Sequence, residues 1–279
     1  MDISSWSYSG ELFKCTLRHA ETSNGKYYFR SLPGNHLSFE AHDITEHAIA
    51  KASLYLVSPP WESKPSSTLI STTEGNGQEP LTFSDGIGTL IKGLASGGWI
   101  QLRLNESQHS PITMTLPSIR IAAPISSFTA CTSRLPEMGY DDARTLELRF
   151  SHGQLGLTQP QKQTLAAFQS YVALDTSIEK ILIDGHTDAT GSAVANLRTS
   201  RSRAESVAQT LEGFGIERTK LEVRAHGERY PVASNKTEEG RDQNRRVTLR
   251  LVMDTERVTT QPENSNKNKT TNETTKVQK

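Results

Sequence analysis

The chain has 279 residues, enough for two domains of about 150 residues each. Thirty-one basic residues balance thirty-one acidic ones, and without a long basic run that balance argues against a nucleic-acid partner. No stretch approaches the roughly 18 consecutive apolar residues of a membrane-spanning helix, and Met1-Asp2-Ile3-Ser4-Ser5 leads into polar sequence rather than a secretory leader.

Residues 1–135 read as β-rich. Short strands are expected at 25–30, 37–40, 51–57, 68–72, 81–83, 99–104 and 112–116, separated by turn signals such as Ser58-Pro59-Pro60-Trp61 and Gly75-Asn76-Gly77. Two helices are expected near 87–94 and 125–135. The pattern fits a small barrel or sandwich. It lacks the ten-residue alternating segments and aromatic girdles of an outer-membrane barrel. Trp61 is either a partner-binding aromatic or part of a packed turn.

The polar stretch 136–144 reads as a linker. Residues 145–253 then alternate strands with helices, the pattern of a layered α/β domain. Strands are expected at 145–150, 180–183, 221–225 and 245–253. A helix follows Thr158-Gln159-Pro160, and a second covers 192–211, stopped by Gly213-Phe214-Gly215. From Asp254 the composition is Thr, Asn, Lys, Glu and Gln, with Val258 and Val277 the only aliphatics. Residues 254–279 are therefore expected to be a disordered polar tail. The whole reads as an α+β chain of two domains.

The two cysteines, Cys15 and Cys131, form no CxxC pair, which excludes thiol-redox and zinc-ribbon chemistry. Spacing alone leaves two buried thiols and one long-loop disulfide equally open. No GxSxG, HExxH or phosphate-binding loop is present, so no enzyme is indicated and no metal or cofactor is expected.

The informative stretch is Gly185-His186-Thr187-Asp188, followed by Asn196 and Arg203-Ala204. His186 to Asp188 leave the end of a strand. Asn196, Ser200 and Arg203 fall at i, i+4 and i+7 of the next helix and share a face. Leu197, Ala204, Ala208 and Leu211 form a neighbouring stripe expected to face the core. Asp188 and Arg203 can thus border one shallow pocket, the carboxylate accepting from an ammonium and the guanidinium forking onto a carboxylate. The alternative is a plain Asp–Arg salt bridge, and Asp188 could also cap the helix or its preceding turn. His186 is expected to hydrogen-bond within its loop and His226 to be structural. Arg241 and Arg246 could equally pair with nearby carboxylates such as Asp242.

These residues, with Gly191, His226-Gly227-Glu228, Pro231, Asn235, Gly240-Arg241 and Asn244-Arg245-Arg246-Val247, resemble the OmpA-like peptidoglycan-binding domain over about 145–253. The resemblance implies an OmpA-like α/β sandwich in which Asp188 and Arg203 hold diaminopimelate of the peptidoglycan stem peptide. It places Thr187, Asn196, Asn244, Arg245 and Arg246 beside the ligand. Thr199-Ser200 and Ala189 depart from that family's usual Leu-Ser and Asn. The front half, through Ser58-Pro59-Pro60-Trp61, Cys15 before Thr16-Leu17, and Phe128-Thr129-Ala130-Cys131, resembles the N-terminal domain of the MotY family of the sodium-driven flagellar motor. That resemblance implies a Cys15–Cys131 disulfide and a periplasmic location at the flagellum basal body. It also implies association with basal-body ring proteins, self-association in a ring, and support of stator assembly. A general wall-anchoring envelope protein unrelated to motility is the alternative.

Overall fold

The computed structural model describes residues 6–20, 25–44, 49–75, 80–106 and 111–254. The expected tail beyond Asp254, the opening Met1 to Ser5 and the Asn76-Gly77 half of one expected turn lie outside them.

The N-terminal half is a two-sheet sandwich rather than a closed barrel. One sheet has the order β1-β2-β3-β4-β7, and the second β6-β5-β8-β9. Its strands are β1 (Trp6–Glu11), β2 (Lys14–His19), β3 (Lys26–Leu32), β4 (His36–His42), β5 (Ile49–Val57), β6 (Ser67–Glu74), β7 (Leu81–Phe83), β8 (Trp99–Glu106) and β9 (Ile112–Leu116). Alternation drives the architecture. Cys15 and Leu17 of β2, Phe29 of β3 and Phe39 of β4 point inward to meet Ala52 and Leu54 of β5 and Ile100, Leu102 and Leu104 of β8, all fully buried. Helix α1 (Ile87–Ala95) closes one side of this core through Ile87, Leu90 and Leu94. Helix α2 (Ala122–Thr132) packs Ile125, Phe128 and Cys131 inward. Cys131 is bonded to Cys15, 116 residues earlier. The β1–β2 hairpin was not among the expected strands. Its inward row, Trp6, Tyr8 and Gly10 opposite His19, Leu17 and Cys15, holds few aliphatic residues, with Ser7, Ser9, Lys14, Thr16 and Arg18 alternating on the outer face, and the pairing Trp6↔His19 to Glu11↔Lys14 makes it.

The stretch expected as a linker holds helix α3 (Tyr140–Arg144), whose Ala143 is buried in the second core. The two halves touch directly. Phe13, at the tip of the β1–β2 hairpin, stacks on Tyr171 at 5.2 Å, and the Gly34 N–H donates to the Pro136 carbonyl at 3.0 Å.

The C-terminal half is one sheet with helices on a single face. Strands β10 (Thr145–Arg149), β11 (Ile178–His186), β12 (Leu221–Gly227) and β13 (Arg246–Met253) lie in the order β10-β13-β11-β12. Only β11 and β12 are parallel, as the helical crossover between them requires. Helix α4 (Gln159–Val172) starts at a capping box between Thr158 and Gln161. Helix α5 (Ala193–Gly213) is that crossover, capped by Ser192, while Asp188 caps the turn before it through the Thr190 N–H. The Ile216 N–H returns to the Leu211 carbonyl past Gly215, whose φ of 96° only glycine adopts without strain. A short α6 (Glu238–Asn244) precedes β13.

Candidate functional site

The site forms where β11 ends and α5 begins. The two come unusually close because residue 185 is glycine: a Cβ there would lie 2.1 Å from the Ser200 carbonyl oxygen. The Ser200 hydroxyl accepts from the Gly227 N–H at 3.0 Å, so helix, β11 and β12 are drawn together at one end of the sheet. This corrects the expected facing of α5. Asn196, Ser200 and Arg203 lie on the buried side together with Ala204, Val207, Ala208 and Leu211, while Leu197 is 37% exposed. The polar trio is buried because the first half of α5 packs over strand ends and loops rather than over the apolar middle of the sheet.

A pocket of about 330 Å³ opens here, lined among others by Thr187, Asp188, Asn196, Arg203 and Arg245. Five residues proposed from sequence thus converge. Asp188 and Arg203 do not pair. Asp188 Oδ2 accepts from Arg245 Nη1 at 2.7 Å, and Oδ1 accepts from the Thr190 N–H at 2.9 Å. Burial pushes the Asp188 carboxyl up, but the hydrogen bonds from Arg245 and Thr190 outweigh it, holding the pKa below its ordinary 3.8. Arg245 is itself buried, donating also to the Phe150 carbonyl and pairing with Glu238 and Asp242.

Arg203 is 2% exposed. Its Nε donates to the Gln154 carbonyl at 2.8 Å, and its guanidinium lies 5.2 Å from the Phe150 ring centre. Its Nη1 is buried with no partner among the described residues, as is the Thr187 hydroxyl in the same pocket. Burial, reinforced by the Arg245 charge and opposed by Asp188, lowers the Arg203 pKa to about 10. A buried unpaired donor on a cation is expensive, and a ligand carboxylate is the group that relieves it. Asp188 keeps free lone pairs for an ammonium. Arg245 is already matched by Asp188, Glu238 and Asp242, so Arg203 is the guanidinium left to meet a ligand anion.

Asn244 and Arg246 lie elsewhere. The Asn244 side chain accepts from the Val232 and Ala233 N–H groups and donates to the Ala233 carbonyl and to Asn235. It is a fully satisfied clamp on the loop before α6. Arg246 begins β13 and points to the opposite face, where it donates to the Tyr230 carbonyl. Asn196 lines the pocket but donates its amide to Glu228. His152 and Thr190, absent from the sequence expectation, line the pocket as well. No spacing rule links His152 in its loop to the strand-end motif. Arg241 pairs with Glu238. Among the described residues no group of three His, Cys, Asp or Glu side chains could hold a metal ion.

The helix-free face of the sheet carries a second polar cluster. Arg224 forks onto Asp184, and His226 reaches the same carboxylate. His186 stacks on His226 at 4.9 Å, with its Nδ1 buried and unpartnered rather than bonded within its loop. Burial first, then the Arg246 and His226 charges, push the His186 pKa down to about 4. The unfolded chain, titrating near 6.5, binds a proton that the folded one refuses. Stability conferred by neutral His186 is therefore full above about pH 6.5 and lost as pH falls towards 4. His186→Asn is expected to flatten the slope of urea-unfolding free energy against pH in that window, relative to wild type. An unchanged slope refutes it.

This layered α/β domain matches the family model of the OmpA family over residues 149–245. The MotY N-terminal domain matches residues 1–136. The chain belongs to the OmpA family and carries a MotY N-terminal domain ahead of its OmpA domain. It is 29% identical over 146 residues to the sodium-type flagellar protein MotY of Vibrio parahaemolyticus, covering 52% of this chain and 50% of that relative. It is 34% identical over 116 residues to the outer-membrane lipoprotein YfiB of Pseudomonas aeruginosa, covering 41% of this chain and 68% of that relative. The match to the first thus spans half of that relative's length. Among solved structures, the peptidoglycan-associated lipoprotein of Burkholderia pseudomallei is 27% identical, covering 38% of this chain and 89% of that one, with a TM-score of 0.37. No helix among the described residues is long and apolar enough to cross a membrane.

Proposed function

We propose that this chain is a non-enzymatic periplasmic component of a flagellar motor that anchors to peptidoglycan by binding diaminopimelate of the stem peptide. The observation that carries the wall-binding part is the buried, unpartnered Nη1 of Arg203 beside the free Thr187 hydroxyl and the Asp188 carboxylate. Diaminopimelate offers a carboxylate to the first two and an ammonium to the third. Neutral sugars leave both charges unanswered. The motor part rests on the MotY N-terminal domain. In this reading it docks on the basal-body ring proteins, self-associates as a ring and supports stator assembly. One shallow pocket binds weakly, and tethered copies convert weak contacts into firm attachment, with avidity gains of about 10²–10⁴. The match to an outer-membrane lipoprotein supports a second reading, a general envelope anchor.

The test is cosedimentation of the chain with purified sacculi in the presence and absence of free diaminopimelate. Binding that the free amino acid competes away is expected. Binding indifferent to it refutes the pocket assignment. Deletion that stops swimming with the filament intact supports the motor reading. Normal swimming with a misshapen envelope supports the general anchor.

A further inference from the structure

A largely apolar cavity of the N-terminal half lies far from the wall pocket in sequence. It is a groove of about 890 Å³ between α1 and α2, lined by Ile91, Lys92 and Ala95 on one side and Ile125, Phe128 and Ala130 on the other. That volume lies within the roughly 300–1,000 Å³ of pockets that take a discrete ligand. Elsewhere on the same sandwich the β5–β6 loop presents the opposite shape. Trp61 is 73% exposed, touching Trp99 edge-on at 5.5 Å. It does not line the groove.

The loop is held rather than loose. The Ser58 N–H donates to the Ser66 carbonyl at 3.0 Å, the Ser66 N–H donates to the Ser58 hydroxyl at 2.7 Å, and the Glu62 N–H closes a turn on the Pro59 carbonyl at 3.1 Å. With Pro59, Pro60 and Pro65 in it, the loop holds the indole out in one place, so little ordering entropy is lost when it docks. Charge matches as well. Glu62 follows the indole, Lys92 lines the groove, and neither has an ion-pair partner among the described residues. The chain beyond Asp254 is a poor occupant, since Val258 and Val277 are its only aliphatics.

We propose that Trp61 of one copy inserts into the α1–α2 groove of the next, with Glu62 meeting Lys92. Peg and groove lie at different places on one surface. The contact is therefore heterologous and repeats head to tail, closing into a ring if its rotation permits. Tryptophan is enriched among interface hot spots, which sit in well-packed pockets. This inference rests on the self-association proposed above and supplies its surface and polarity.

The test is sedimentation of the full chain from micromolar to millimolar concentration. Wild type is expected to assemble beyond a dimer. Trp61→Ala removes the peg. Ala95→Glu, at an exposed helix position, puts a charge in the groove without disturbing the core. Each alone is expected to weaken assembly by at least about 30-fold. Mixed one to one they should stop at a dimer, because only one intact peg can meet one intact groove. A wild type that stays monomeric overturns self-association and this contact together. Assembly that survives both substitutions overturns this contact alone and assigns the groove to another partner. A mixture that stays monomeric also overturns it. Glu62→Lys and Lys92→Glu should each weaken assembly, and the double variant should recover it. A double variant no better than the singles removes the ion pair from the interface.

Discussion

Arg203→Ala is expected to weaken cosedimentation with sacculi by about 10–150-fold, the range set by losing a charge-assisted hydrogen bond of about 1.5–3 kcal/mol. The guanidinium is held in place before any ligand arrives. Gln154 takes its Nε, Phe150 lies beneath it and α5 buries its stem. Little ordering is left to do on binding, so nearly the whole interaction is available to the ligand. Arg203→Lys keeps the charge but not the planar fork and should fall in between. Circular dichroism melting is the control, because the substitution also strips a donor from the Gln154 carbonyl. Wild-type binding by a folded Arg203→Ala protein refutes the pocket assignment. Asp188 is a poorer first target. Its removal takes the 2.7 Å partner from the buried Nη1 of Arg245 and leaves only Glu238 and Asp242 on the other nitrogen, which costs stability, up to the roughly 3–5 kcal/mol of a fully broken buried pair. Lost binding in Asp188→Ala therefore confounds unfolding with lost contact.

The second large effect lies in the other domain. Reducing or replacing Cys15 and Cys131 is expected to lower the stability of the N-terminal sandwich by about 4–5 kcal/mol, the chain-entropy value for a loop closed over 116 residues. Domain stabilities run at about 5–15 kcal/mol, so this approaches the whole margin. The bond fastens β2 to α2, and α2 forms one wall of the apolar groove. A Cys15→Ser, Cys131→Ser protein should show a lower urea midpoint for the N-terminal transition and an unchanged one for the C-terminal transition. Ellman titration of the unreduced, denatured wild type should find no free thiol. Two free thiols refute the disulfide, and equal midpoints refute its energetic role.

Much of the fold was legible because apolar alternation survives in most strands. Leu146, Leu148 and Phe150, or Val247, Leu249 and Leu251, can be read directly as one face. The β1–β2 hairpin escaped because Trp6-Ser-Tyr-Ser and Lys-Cys-Thr-Leu carry too few apolar residues, and the hairpin is secured by long-range contacts such as the Trp6 indole on the Pro117 carbonyl. Short α6 escaped because Gly240 sits inside it. Its Cβ would meet the Ser234 carbonyl oxygen at 2.0 Å, so packing and not propensity dictates the glycine. At the site, Arg203 was found by its helical spacing from Asn196 and Ser200, and Asp188 by its place at a strand end, but their partners were not. Consecutive Arg245 and Arg246 look alike in sequence. Only the entry into β13 sends the first towards Asp188 and the second to the opposite face. Likewise the inward facing of Asn196, Ser200 and Arg203 depends on Gly185, a residue on a different element.

Sheet order also decides how the C-terminal domain bears load. The pocket sits at the end of β11 and the start of β13, next to Arg245. The chain from the N-terminal half enters at Thr145, and β10 runs antiparallel to β13 with Thr145 opposite Arg250 and Arg149 opposite Arg246. If the pocket holds the wall as proposed, a pull between wall and N-terminal domain is applied to opposite ends of two adjacent strands. Their hydrogen bonds lie across that pull and must slide together, where a pull on the same end would peel them one at a time. In that arrangement the domain is strung in shear, the direction in which a β-ladder is mechanically toughest.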